Sequence, residues 1–89
     1  KLEKVFGSRK QVKLLEFLLQ NPGKVFNQAG LARFLNCSPS TIARVIMPLV
    51  EEEILAYEQV SGQMKIIALN MESEKVKLLM EFYEKFRRL

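Results

Sequence analysis

The sequence predicts an α+β fold with a helical core, a two-stranded β-hairpin and a closing C-terminal helix. Apolar residues recur at helical spacing through the first half, two β-rich segments flank a glycine turn, and a wide apolar stripe ends the chain. At 89 residues, the chain is expected to be a single domain. We divide it into an N-terminal arm (1–7), a core (8–70) and a C-terminal helical segment (71–89).

The first helix is predicted to start at Ser8, which has capping-box spacing with Gln11. Asn21-Pro22-Gly23 ends it, and residues 24–26 are expected to be extended. Its apolar stripe consists of Leu14, Leu15, Leu18 and Leu19. Asn27 can cap a second helix that runs to about Leu35.

The third helix begins at Ser38-Pro39, because serine suits the N-cap and proline suits the first helical position. Its apolar stripe consists of Ile42, Val45, Ile46 and Leu49. Pro48 removes a hydrogen bond to the carbonyl of Arg44, and we expect it to kink the last turn or to end the helix early. A strand over 54–60, a turn at Ser61-Gly62-Gln63 and a strand over 64–69 follow.

The last helix is predicted over residues 72–89 and carries an unusually wide apolar stripe. One face holds Val76, Leu79, Met80, Tyr83 and Phe86, and Leu78, Phe82 and Leu89 extend it sideways. A stripe of this width is more than a small core absorbs, which favours a homodimer through this helix. The alternative is that the stripe caps the core of the monomer.

Composition limits the function classes. Residues 1–50 carry a net charge of +6 and residues 51–89 a net charge of −2, so a basic half suited to a polyanion adjoins an acidic half. The chain has no histidine and no aspartate, which removes Ser-His-Asp and Cys-His catalysis and His-bearing metal sites. Glu51, Glu52 and Glu53 are consecutive and fan around a helix end. We therefore expect no enzyme, no cofactor and no metal.

The cellular location follows from two further observations. No apolar run approaches the roughly 18 residues that span a bilayer, so no membrane partner is expected. The single cysteine allows no internal disulfide. A cytoplasmic protein is the simplest expectation.

Residues 28–45 carry the most specific motif. A helix-turn-helix needs a small residue where its helices cross and a residue that tolerates the left-handed turn four positions later. Ala32 and Asn36 meet these demands. Apolar residues at fixed offsets hold the angle between the helices, and these are Leu31, Leu35, Cys37, Ile42 and Val45. Such a rigid pair can place its second helix in the major groove.

The run over 31–42 resembles the winged helix-turn-helix regulators of bacteria and archaea, in the style of the ArsR-type and MarR-type repressors. Residues 49–55 resemble their helix end before the wing, and residues 60–65 resemble their wing turn, so the resemblance covers about residues 8–70. It implies a sequence-specific double-stranded DNA-binding transcriptional regulator, most simply a repressor, with residues 39–52 as recognition helix. Two departures are an asparagine in place of the usual turn glycine and a wing whose basic residues are limited to Lys65.

The resemblance assigns DNA contacts to residues on three elements. These residues are Ser38, Ser40, Thr41, Arg44 and Met47 on the third helix, Arg33 on the second helix, and Gln63 and Lys65 on the wing. The planar guanidinium of Arg44 can contact guanine through two hydrogen bonds. The alternative is that Arg44 is a solvated surface residue. Cys37 is expected to behave as a small hydrophobe in the core, with redox or metal sensing as the alternative.

Two other functions remain open at the level of sequence. A winged helix can bind protein as a module of a larger assembly, which suits the sparse wing and the acidic second half. The same DNA-binding physics also serves replication or plasmid maintenance. Charges gathered around Arg9, Arg33 and Arg44 would favour DNA over a protein partner.

Overall fold

The computed structural model describes residues 10–62 and 64–89. In chain order the elements are α1 (Lys10–Gln20), β1 (Phe26–Asn27), α2 (Gln28–Phe34), α3 (Pro39–Glu51), β2 (Leu55–Ser61), β3 (Met64–Leu69) and α4 (Glu74–Arg87). This order confirms the predicted α+β fold. The arm over residues 1–7, the helix start at Ser8, the basic residue Arg9 and the site residue Gln63 lie outside the described residues.

The sheet has three antiparallel strands in the order β1-β3-β2. The predicted hairpin forms its larger part, pairing Leu55 with Leu69 at one end and Ser61 with Met64 at the other. The short β1 adds a third strand, in which Phe26 pairs with Ile67. The segment predicted only as extended therefore joins the sheet and ties the hairpin to the start of α2.

The core is apolar and draws on every helix and on β2 and β3. Its buried members are Leu14, Leu18, Leu19, Leu31, Ala32, Leu35, Ile42, Ile46, Leu49, Leu55, Ile67, Leu69, Val76 and Tyr83. Ala32 is buried at the α2–α3 crossing, and the half-buried Cys37 packs against this core. The stripes predicted for α1 and α3 supply much of this core, whereas Leu78, Phe82 and Leu89 of the stripe predicted for α4 are exposed.

Helices α2 and α3 end in the same way, with one residue in the left-handed region. After α2 this residue is Asn36 (φ 58°), and the amide of Cys37 donates to the carbonyl of Ala32 at 2.9 Å. After α3 it is Glu53 (φ 63°), and the amide of Ile54 donates to the carbonyl of Leu49 at 2.8 Å. Both ends have the hydrogen-bond pattern of a Schellman motif. Asn36 was predicted in this role, whereas a glutamate there is unexpected.

Pro48 does not end α3 early, because the helix runs on to Glu51. Proline withholds one amide from the carbonyl of Arg44 but leaves its own carbonyl available. That carbonyl accepts from the amide of Glu52 at 3.1 Å, and Leu49 buries its side chain in the core. The side chain of Gln11 also donates to the neighbouring Val45 carbonyl at 3.1 Å. Packing and these hydrogen bonds hold the last turn in place.

Helix α4 packs on α1 through Tyr83. The side-chain amide of Gln20 donates to the phenol oxygen at 2.7 Å, and the phenol donates to a carboxylate oxygen of Glu16 at 3.1 Å. Burial raises the pKa of Tyr83, and the carboxylate of Glu16 raises it further against the opposing effect of Gln20. Within the described part of the chain, no helix has both the length and the apolar character needed to cross a bilayer.

Candidate nucleic-acid interface

The amino end of α3 is a cluster of hydroxyl groups organised by its cap. Ser38 Oγ accepts from the amide of Thr41 at 3.2 Å, and it lies 3.0 Å from both Ser40 Oγ and Thr41 Oγ1. Pro39 occupies the first helical position, as predicted. Ser38 and Ser40 are exposed and Thr41 is half-buried. The structure therefore brings three of the predicted site residues together at an exposed helix end.

The exposed side of α3 continues with Arg44 and Met47, one turn and two turns beyond Thr41. Residues three apart share a helix face, so the three side chains follow one another along the surface. Arg44 Nη2 donates to Thr41 Oγ1 at 3.4 Å, and both Arg44 and Met47 are exposed. The opposite side of α3 is buried in the core. The outward side thus offers hydroxyls, a guanidinium and a thioether, groups suited to phosphate, guanine and thymine methyl respectively.

Helix α1 fixes the turn between α2 and α3 through two long polar side chains. Lys10 Nζ donates to the carbonyl of Leu35 at 3.2 Å, and Gln11 donates into α3 at the carbonyl of Val45. Their partners lie 25 and 34 residues away along the chain. The sequence gives no sign of this partner for Lys10, whose ammonium group donates to a carbonyl in the turn. The exposed side of α3 therefore belongs to a pair of helices that hydrogen bonds from α1 hold in place.

A hydrogen-bonded relay links the hairpin, α2 and α3. Tyr57 on β2 donates its hydroxyl to Gln28 Oε1 at 2.9 Å, and Gln28 Nε2 donates to the carbonyl of Pro39 at 2.8 Å. Sequence reasoning missed this relay. Gln28 and Tyr57 are 29 residues apart, and neither side chain is charged or part of a recognisable motif. The one available signal was the position of Gln28 directly after the Asn27 cap.

Lys65 shares an open groove with the amino ends of α2 and α3. The groove has a volume of about 490 Å³ and is lined by Asn27, Gln28, Ala29, Pro39, Met64 and Lys65. Arg33 lines a different cleft, together with Phe17, Phe34 and the strand β1. The structure thus associates Lys65 with α3, whereas Arg33 lies beside an aromatic cluster whose Phe17 and Phe34 rings are 4.3 Å apart.

The tip of the hairpin has exposed apolar residues, and a side-chain hydrogen bond from Gln59 bridges it. The side-chain amide of Gln59 donates to the carbonyl of Gly62, which has a positive φ of 51°. Gln59 pairs with Lys65 and Ser61 pairs with Met64, so Val60 is an extra residue in β2. Val60 and Met64 are 57% and 52% exposed. These two side chains give the described part of the tip an exposed apolar surface.

Three consecutive acidic residues, Glu51, Glu52 and Glu53, lie at the opposite end of α3. Lys75 Nζ lies 2.5 Å from Glu52 Oε1, and the hydrogen bond and charge of Lys75 lower the pKa of the Glu52 carboxyl. Helix α3 has 13 residues and is therefore about 20 Å long, which separates this carboxylate from the hydroxyl cluster at Ser38. A polyanion lying against the amino-terminal part of α3 would avoid the acidic end.

Comparison with solved structures identifies the architecture. HlyU from Vibrio cholerae superposes with a TM-score of 0.70 at 18% identity, covering 99% of this chain and 89% of HlyU. This chain has the winged helix fold. The adhesin competence repressor AdcR from Streptococcus pyogenes gives a TM-score of 0.66 at 21% identity, over 98% of this chain and 64% of AdcR. MepR, a transcription regulator of a Staphylococcus aureus multidrug efflux pump, gives 0.65 at 17% identity, over 98% of this chain and 65% of MepR.

AdcR is thus a repressor and MepR a transcription regulator, and the likeness of this chain to both is one of fold. The chain spans less than two thirds of AdcR and of MepR. No protein-family model matches the sequence, and no curated protein matches it. The resemblance noted in residues 8–70 is thereby confirmed as a likeness of fold. The hairpin β2–β3 corresponds to the wing and is called so below.

Proposed function

We propose that this winged helix chain is a sequence-specific double-stranded DNA-binding transcriptional regulator. The observation that carries the proposal is the division of α3 into a buried apolar side and an exposed side of hydroxyls, guanidinium and thioether. Winged helix regulators with the same fold place the corresponding helix in the major groove, as the sequence resemblance implies. In this proposal the whole chain acts as one domain.

Each exposed group of α3 receives a role from its chemistry. Arg44 reads guanine through its fork, a contact typically worth about 1–3 kcal/mol of discrimination. Ser38, Ser40 and Thr41 donate to phosphate at the amino end of the helix. Met47 contacts a thymine methyl group. Lys65 and Gln63 contact the DNA from the wing, and Arg33 contacts the DNA backbone from α2.

The simplest mode of regulation is repression, in which the protein occupies a promoter. A dimer strengthens such occupancy, and α4 provides the surface for one. Leu78 and Phe82 are 66% and 48% exposed on α4, and the rings of Phe82 and Phe86 stack at 5.7 Å. Pairing this stripe with that of a second copy would bury it. Two copies of α3 would then read half-sites about 34 Å apart, or a multiple of this distance.

Fluorescence anisotropy with a labelled random duplex, across a series of salt concentrations, tests DNA binding. We expect Kd to rise steeply with salt, because phosphate contacts release counterions. Arg44→Ala should weaken binding about tenfold, and Arg44→Lys should recover only the part due to charge. Lys77→Ala on α4 removes the same charge elsewhere and should bind as the wild type does. A folded protein that binds no duplex at low salt would overturn the proposal.

Specificity and assembly are tested separately. Selection from a random duplex library should enrich two half-sites in the wild type, and the guanine contacted by Arg44 should lose enrichment in Arg44→Ala. Sedimentation equilibrium should find a dimer for the wild type and a monomer for Leu78→Glu, which places a charge in the stripe. A monomeric wild type that still binds DNA would remove the dimer from the proposal and leave recognition by α3 intact.

A further inference from the structure

Within the described residues, the wing joins the third strand of the sheet at its base. Strand β1 pairs with β3 at Ile66 and Ile67, and β2 extends past that pairing after Glu58, which pairs with Ile66. At about 3.4 Å per residue, the tip lies more than 10 Å from the last paired position. Lys65 lies between this base and the tip, one residue beyond Ile66 and paired with Gln59, so the angle of the wing at its base determines where the Lys65 side chain is presented.

The Tyr57–Gln28 relay lies at this base. Tyr57 pairs with Ile67, the same residue that pairs with Phe26 of β1. From this position its hydroxyl reaches Gln28, which in turn donates to the carbonyl of Pro39 on α3. Glutamine fits both contacts, because its amide presents an acceptor to the phenol and a donor to a carbonyl that can only accept. Gln28 and Pro39 also line the groove that contains Lys65.

We propose that Tyr57 and Gln28 are positioning residues that set the angle of the wing against α3, so that Lys65 and the amino end of α3 reach the same DNA backbone. This role rests on the proposed DNA-binding function. The relay is the point at which the wing is coupled to the recognition helix by side-chain hydrogen bonds, and neither residue needs to touch DNA. Losing the relay should therefore act on binding through Lys65.

A double-mutant cycle tests this coupling in DNA binding. Losing one net hydrogen bond corresponds to about a fivefold change in an equilibrium, so we expect Tyr57→Phe to raise Kd about fivefold at low salt. The slope of log Kd against log salt should fall by up to about one, as it does when one phosphate contact is lost in Lys65→Ala. Lys65→Ala should add nothing further in the Tyr57→Phe background, whereas Arg44→Ala should remain additive. Additivity of Tyr57→Phe with Lys65→Ala would overturn the proposal.

Amide hydrogen exchange tests the relay without DNA. In Tyr57→Phe the amides of residues 58–65 should exchange about fivefold faster, and those of α3 should be unchanged. Gln28→Glu keeps an acceptor for Tyr57 but loses the donor to Pro39, so it should show the same change. Tyr83→Phe is the matched control, because it removes a bonded phenol hydroxyl from the α1–α4 contact. Unchanged exchange at the wing in both relay variants would overturn the proposal, even if the wild type binds no duplex and the proposed function fails.

Discussion

Helices α3 and α4 both begin after a serine, but different contacts hold them in the fold. Each is preceded by a serine in the extended conformation, yet Ser38 caps α3 through its side chain whereas Ser73 makes no side-chain cap on α4. Helix α3 buries Ile42 and Ile46 completely within its own chain. Helix α4 buries Val76 and Tyr83 and leaves a second apolar stripe outside.

The difference shows that an apolar stripe predicts a buried surface without saying what buries it. The stripe of α3 is complete within the fold, so its exposed side is free to specialise in polar contacts. The stripe of α4 is wider than the surface that α1 offers. Four predictions probe this contrast, and each compares a residue that the fold uses with one that it leaves exposed or with a change of conditions.

The largest effect is expected from the core side of α3. Ile42→Ala removes fully buried methyl groups and leaves a cavity, so we expect the free energy of unfolding to fall by about 2–5 kcal/mol. Leu78→Ala on α4 should change it by less than about 0.5 kcal/mol at protein concentrations that favour the monomer. Urea unfolding monitored by circular dichroism measures both. Equal losses in the two variants would show that the exposed stripe is already packed in the monomer.

The two serines form the next pair. Ser38→Ala removes the acceptor for the Thr41 amide and should cost about 1 kcal/mol of stability. Ser73→Ala loses no cap contact and should cost less than about 0.5 kcal/mol. The same urea titration compares them. A cost for Ser73→Ala as large as that for Ser38→Ala would mean that α4 is capped as firmly as α3.

Tyr83 is the polar contact that holds α4 to α1, and its effect depends on pH. Tyr83→Phe should cost about 1 kcal/mol near neutral pH, because Gln20 and Glu16 lose their shared partner. Burial raises the pKa of Tyr83, so the wild-type advantage is present below the ordinary tyrosine pKa of about 10 and is lost as pH rises through the raised value. Stability measured from pH 7 to alkaline pH should show the gap closing. A constant difference in stability between the wild type and Tyr83→Phe would show that ionisation of the phenol does not weaken the α1–α4 contact.

The smallest effect is expected from the ion pair that joins the end of α3 to α4. Both side chains of Glu52 and Lys75 are more than half exposed, so Glu52→Gln should lower the melting temperature only slightly. Because Lys75 lowers the pKa of Glu52, the contribution is present above the ordinary glutamate pKa and is lost as pH falls through the lowered value. Calorimetry should find that acid or 1 M NaCl removes the difference. If the difference in melting temperature between the wild type and Glu52→Gln persists in acid and in 1 M NaCl, packing of Glu52 and not its charge stabilises the contact.

Much of the fold was predictable because it depends on local chemistry. Helical spacing located the core residues, Ser38-Pro39 located the start of α3, and the tolerance of asparagine for positive φ located the turn at Asn36. The extent of α3 agrees with the helix expected over 39–52, whereas an early end at Pro48 is wrong, because tertiary packing of Leu49 outweighs one lost backbone hydrogen bond.

The candidate site was predictable in part. The cluster of Ser38, Ser40 and Thr41 follows from their adjacency in sequence, and the structure adds Arg44 to it. The relay through Gln28 and Tyr57 was not predictable, because long neutral side chains acquire partners only when distant elements meet. The same reason hides the hydrogen bond between Lys10 and the Leu35 carbonyl from the sequence. The proposed DNA contacts themselves remain predictions.

The left-handed glutamate after α3 has a practical consequence for protein engineering. A side chain at positive φ strains its own backbone, and a carboxylate at a helix carboxyl end opposes the helix dipole. Glycine at position 53 would relieve both costs, and asparagine would relieve the charge while tolerating the turn. Residue 53 lies at the acidic end of α3, far from the hydroxyl cluster. It is therefore a site at which the protein can be made more robust for structural work while its proposed DNA-facing surface is left as it is.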